Sequence, residues 1–65
     1  LTISGEGTLN ATAAETAAID VSGDVTVGCA VTVTGAPPCS AENEAAAEGY
    51  SITANDGTTL TVAAA

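Results

Sequence analysis

The stretch Asp24 to Thr34, DVTVGCAVTVT, alternates without a break. Val25, Val27, Cys29, Val31 and Val33 are apolar, and Thr26, Gly28, Ala30, Thr32 and Thr34 lie between them. Successive side chains of a strand point to opposite faces, so the run offers one face to a core and one lined with threonine. Valine and threonine also suit a pleated, half-buried surface. This is the clearest strand in the chain, and the other elements are expected to pack around it.

Upstream, Leu1 to Ser4 alternates Leu1 and Ile3 against Thr2 and Ser4, and Gly5-Glu6-Gly7 interrupts the pattern. A second strand is expected at Thr8 to Ala13, with Leu9, Ala11 and Ala13 on one face. After a bend at Ala14 to Thr16, a third covers Ala17 to Val21 with Ile19 and Val21 inward. Ser22-Gly23 supplies a two-residue turn, which predicts a hairpin between that third strand and the central one. Asp20 and Asp24 flank the turn, but DVSGD lacks the ligand number and spacing of a calcium loop, so both acids are read as solvated.

Downstream, Gly35 to Cys39 carries Pro37 and Pro38, which cannot donate ladder hydrogen bonds, and so leaves the sheet as a rigid loop. A Cys29–Cys39 disulfide would clip this loop to the core and contribute roughly 2–3 kcal/mol for so short a loop. Ser40 to Glu48, SAENEAAAE, predicts one short helix, with Ser40 as N-cap, Glu42 and Glu44 near its positive end and Gly49 as the stop. Tyr50 to Ala54 and Thr58 to Ala64 flank Asn55-Asp56-Gly57 and predict a second hairpin. No internal repeat is evident. The expected fold is mainly β: a small antiparallel β-sandwich-like domain with one short helix and one disulfide. Residues 1–7 form an N-terminal strand and glycine-containing link, and 8–65 a single small β domain.

The chain has 65 residues, eight acids and no Lys, Arg or His, for a net charge of −8. Without cations it cannot meet phosphates, which excludes nucleic acid and attraction to anionic lipid. Fifteen of its residues are alanine, and only thirteen are Val, Leu, Ile or Tyr, with no Phe, Trp or Met. At roughly 1.5–3 kcal/mol per well-buried large side chain, that core is thin against the entropy of ordering the chain. Chains this small usually lean on staples or assembly. The start at Leu1 and the lack of methionine suggest a processed product or excised segment. Paired cysteines point to an oxidising compartment, hence a secreted, extracellular or cell-surface setting. No apolar run approaches the ~20 residues of a membrane helix, so membrane insertion is not expected.

Chemistry-bearing residues are scarce. There is no His, Lys or Arg, and nothing marks out a pair among the eight acids, so neither an enzyme nor a cofactor is expected. Cys29 and Cys39 have no histidine to complete a metal set. Asn10-Ala11-Thr12 is a glycosylation sequon, with Asn10 on the outward face of its strand. The outward threonines, above all Thr26, Thr32, Thr34, Thr59 and Thr61, either simply face water, carry O-linked sugars, bind ice or carbohydrate, or form a contact between copies. Ice binding would require ranks of threonine matched across neighbouring strands, and Thr32/Thr34 with Thr59/Thr61 are the two pairs that suggest it.

Leu1-Thr2-Ile3-Ser4 on its glycine link resembles a detachable strand able to complete a neighbour's sheet. Repeated head to tail, such a contact builds an open filament. The expectation is therefore a structural subunit of a secreted filament, pilus or sheath, a homopolymer with other copies of itself as partners and covalent glycans as candidate decoration. The alternatives are a monomeric binding module that uses its threonine face, and a domain of a larger surface protein.

Overall fold

The computed structural model describes every residue, Leu1–Ala65, as seven strands and no helix. In chain order these are β1 (Thr2–Thr12), β2 (Ile19–Asp20), β3 (Asp24–Thr34), β4 (Cys39–Ser40), β5 (Asn43–Ala46), β6 (Tyr50–Asn55) and β7 (Thr59–Ala64). As expected, β3 is central, and its five inward residues, Val25 to Val33, are all buried.

The path of the chain around β3 differs from an antiparallel sandwich. β1 runs parallel to β3, from Thr2 beside Thr26 to Thr12 beside Thr34. On the other side of β3, β5 runs parallel to Asp24–Val27 and β7 antiparallel to Val31–Thr34. β6 is the outer strand beyond β7. The small second sheet is β2 paired in parallel with β4. The chain thus winds as a coil: β1 and β2 form one turn, β3 and β4 the next, and β5 begins a third. Thr2 lies beside Thr26, Ile19 beside Cys39 and Asp24 beside Asn43, so one turn takes about twenty residues, a length typical of stacked repeats.

The corners stack as the strands do. Ala13 N–H donates to the Thr34 carbonyl, Ala36 to Thr16, Ile19 to Pro38, Val21 to Ser40 and Glu42 to Gly23, all between 2.8 and 3.1 Å. This explains why Ser22-Gly23 does not make the expected hairpin. It is a corner at which the chain crosses from β2 to β3, and Gly23 receives its hydrogen bond from the next corner down.

The expected helix at Ser40–Glu48 is also replaced, by β4, a corner and β5. An isolated helix of nine residues is marginal in water. Here the first half of β3 has an edge that β7 does not reach, and β5 satisfies its backbone groups instead. Asn43 Nδ2 adds a hydrogen bond of 3.0 Å to Asp24 Oδ1 at the start of that pairing. Tertiary pairing has overridden local helix preference.

The C-terminal hairpin forms as expected, with β6 and β7 antiparallel. It sits at the end of the coil. β5 and β6 run the same way, and at Ala47–Gly49 the chain steps outward so that β7 fits between β3 and β6. Gly28 makes room for the step, since a Cβ there would come within 3.3 Å of the Ala47 Cβ. Gly49, at φ +90°, takes a conformation open chiefly to glycine.

The inner face of the main sheet packs on the β2–β4 side of the coil. Val25, Val27, Cys29, Val31, Val33, Cys39, Leu60 and Val62 form the core, edged by Ile19, Val21, Ala41 and Tyr50. The expected Cys29–Cys39 disulfide is absent, and both cysteines are buried free thiols. They sit in different surroundings: Cys29 in mid-β3 lines a cavity toward β1, while Cys39 in β4 lies beside the Glu44 carboxylate. The core is held without a covalent staple.

Candidate functional site: an open sheet end and a threonine face

Two surfaces stand out, and both follow from the alternation of β3 and its neighbours. The first is the end of the coil at β1. Leu1–Ser4 is hydrogen-bonded into its own sheet, with Thr2, Ile3 and Ser4 beside Thr26, Val27 and Gly28. The Thr26 N–H donates to the Leu1 carbonyl at 2.9 Å, and the Leu1 amino group donates to the Asp24 carbonyl at 2.9 Å.

Gly5-Glu6-Gly7 forms a bulge, three residues opposite Cys29 alone. Gly5 (φ +122°) and Gly7 (φ +97°) permit it. The bulge opens a cavity of about 220 Å³ lined by Ile3, Ser4, Glu6, Gly7, Thr8, Leu9 and Cys29. Beyond β1 there is no further strand. The interior of the first turn is therefore partly uncovered, and Leu1 and Leu9 are 60% and 38% exposed.

At the opposite end β6 is likewise unpaired on its outer side, and Ile52 is 37% exposed. These three are the exposed large hydrophobic residues of the chain. The sheet register aligns two of them: Leu9 is beside Val31, Val31 beside Val62, and Val62 beside Ile52. One apolar row thus crosses the core face from edge to edge, buried in the middle and exposed at both ends.

The second surface is the outward face of the same sheet. The register sets Thr12, Thr34 and Thr59 in one row and Asn10, Thr32 and Thr61 in the next. The two Thr-x-Thr pairs singled out in the sequence are therefore direct neighbours. Thr26 lies apart from them, beside Thr2 near the start of β3. Thr12, Thr32 and Thr34 are exposed, while Thr59 and Thr61 are half-buried. Asn10 is exposed within this array.

Titrating groups are few. Burial pushes the Cys39 thiol up from its ordinary value, and the negative charges of Glu44 and Asp20 add to the effect. Asp56, in the β6–β7 turn, is held below the usual carboxylate range by the backbone N–H groups of Thr58 and Thr59 at 3.0 and 2.8 Å, and by the Thr58 hydroxyl at 2.9 Å. No three of the acids and thiols gather as a set able to hold a metal ion.

Neither the bulge nor the row from Leu9 to Ile52 is legible in any single strand, because both arise from pairing across strands. A faint signal existed: Thr8 to Thr12, TLNAT, and Ala30 to Thr34, AVTVT, carry the same alternation and become partners in the sheet. The fold and its two surfaces define an acidic β-coil of two turns and the start of a third, capped by a hairpin. No known protein family, no curated protein and no solved structure matches this chain.

Proposed function

We propose that this protein is a structural subunit that self-assembles through the ends of its main sheet into a filament. The observation that carries the reading is the placement of its exposed large apolar residues. Leu1, Leu9 and Ile52 all lie at the sheet's two unpaired edges. An unpaired edge is a template for another strand, and proteins that stay monomeric blunt it with charged side chains, proline, a β-bulge or a cover. Neither β1 nor β6 contains lysine or proline, and although β1 bulges at Gly5-Glu6-Gly7 and β6 between Ile52 and Ala54, Thr8–Thr12 stays in regular register with β3.

The hydrogen-bond inventory supports the same reading. The chain makes 30 backbone–backbone hydrogen bonds, whereas a domain of its length ordinarily makes roughly 43. A core of eight buried hydrophobic residues without a disulfide would also gain from assembly. The charge of −8 sets the condition, since like-charged copies repel at low salt. Light scattering on a sizing column, with electron microscopy of the high-mass fraction, tests this. Mass is expected to rise with protein concentration and with salt. A single-chain mass under all conditions would sink the reading.

The matched threonine rows favour a second function, recognition of a periodic surface such as ice or an insoluble polysaccharide. Thr12, Thr34 and Thr59, with Thr32 and Thr61 behind them, offer hydroxyls and methyl groups in two directions on a patch bordered by the Asp56 carboxylate. Assays of ice recrystallisation and of co-sedimentation with insoluble polysaccharide test it. Activity abolished by Thr34→Tyr would support it, whereas no activity in the unglycosylated protein would remove it.

A further inference from the structure

Resting on the assembly reading, we infer that the partner at each open edge is a second copy of this chain, joined with β1 of one copy running parallel to β6 of the next. The strand directions allow it. β1, β3 and β6 all run one way and β7 alone runs the other. Moving a whole copy along the hydrogen-bonding direction of the sheet therefore sets its β1 beside the first copy's β6 in parallel. That is the pairing β1 already makes with β3. The core face stays the core face, and the next copy turns only by the twist that the sheet itself carries from β1 to β6.

The same movement fixes the register. The row Leu9–Val31–Val62–Ile52 of one copy continues into Leu9 of the next, so the two exposed ends meet. The adjoining rows bring Asn10 near Ala54 and Ala11 near Asn55, with no charge opposite a charge. Ile52 then lies against the leucine that borders the β1 cavity. The contact is heterologous, with different surfaces on the two sides, and a displacement along the sheet combined with its twist does not close, so it grows into an open stack. Four strands per copy advance the stack by about 19 Å at the usual strand spacing.

Two single substitutions test the pairing, Leu9→Glu and Ile52→Glu, each at an exposed position, with circular dichroism confirming that the β-sheet is retained. The mass of each variant and of their equimolar mixture is measured by sedimentation velocity in high salt beside the wild-type chain. Polymer is expected from the wild type and single-chain mass from each variant alone. The mixture should double in mass and stop there, because one intact β6 edge meets one intact β1 edge and the outer two are blocked. A Leu9→Glu variant that dimerises by itself would show like edges pairing, which overturns this contact while leaving assembly standing. Polymers of both variants would place the interface elsewhere, with the same consequence. A monomeric wild type would leave the edges to another occupant and overturn assembly and pairing together. In wild-type polymers the axial repeat by electron microscopy separates a four-strand stack, at about 19 Å, from any other arrangement.

Discussion

β1 and β3 have nearly the same pattern and length but different fates. Each runs eleven residues, and Thr8–Thr12 of β1 alternates apolar with small polar side chains as Ala30–Thr34 of β3 does. In β3 the inward residues are nearly inaccessible, Val33 at 0% and Val31 at 1%. In β1 the partner of Val31, Leu9, is 38% exposed although it is the larger side chain. Alternation assigns the face, whereas burial comes from having a neighbour on both sides. β3 is the middle turn of the coil and β1 is its end.

Truncation along this one row gives the largest expected effect. Val31→Ala should destabilise the protein by about 2 kcal/mol, because it leaves a cavity that its packed neighbours cannot fill. Leu9→Ala, in the same row, should cost under about 1 kcal/mol in the monomer despite removing more carbon, since much of its surface is already wet. Urea unfolding at low salt measures both. Equal losses would mean that the first turn is as well buried as the second. If the losses are equal only in high salt, the first turn is covered by a neighbouring copy.

The corners sharpen the same contrast. Gly35 is buried between turns, and a Cβ there would lie 2.7 Å from the Pro37 carbonyl oxygen and 3.0 Å from the Ala18 nitrogen and the Thr16 oxygen. All three are backbone atoms that cannot swing aside, so Gly35→Ala should cost roughly 1–3 kcal/mol through overpacking. Around Gly23 nothing lies within 4 Å of such a Cβ. Gly23→Ala should change the urea midpoint little, and a loss matching that of Gly35→Ala would undo the account of stacked corners.

The two thiols set the turns apart chemically. Cys29 borders the β1 cavity, whereas Cys39 is buried with its thiol kept protonated by burial and by Glu44. A small thiol reagent added to the native protein should label Cys29 before Cys39, as read by mass spectrometry of the digested chain. The raised Cys39 value also has a stability sign. Its contribution is present in full below the thiol's unfolded value and is lost as the pH rises through the folded one. Unfolding at alkaline pH should therefore become easier, and Cys39→Ala should weaken that dependence. The reverse order of labelling would mean that the cavity is closed in solution.

Much of this architecture was legible along the chain, and what was missed has one cause. β3, its buried face and the terminal hairpin follow from local alternation and from Asn55-Asp56-Gly57. Parallel pairing was not legible, because Thr2 and Thr26 meet only after a whole turn of coil and no local residue marks the meeting. The same gap produced the expected helix. SAENEAAAE has helical preference, but the free half-edge of β3 that turns Asn43–Ala46 into a strand exists only once the coil has closed. The threonine pairs were visible as pairs, yet their adjacency across strands comes from register. The cysteines misled because spacing along the chain suggested a bridge, while β4 places Cys39 beside Glu44.

The smallest effect is expected where the structure is most local. Asp56 accepts from Thr58 and Thr59 within its own turn, and this holds the β6–β7 hairpin by contacts no more than three residues apart. Its lowered value means that the turn's contribution is present above the carboxyl's unfolded value and is lost as the pH falls through the folded one. Acidification should therefore loosen the hairpin first. Asp56→Ala should reproduce that loosening at neutral pH and abolish its dependence on acid, as read by hydrogen exchange at Asn55 to Leu60. Because β7 lies between β3 and the outer strand β6, loosening at this turn should reach the β6 edge before it reaches β1. Exchange that rises equally in β1 and β6 would show the two ends of the sheet to be coupled through the core, and the contrast between middle and end would then describe burial without describing stability.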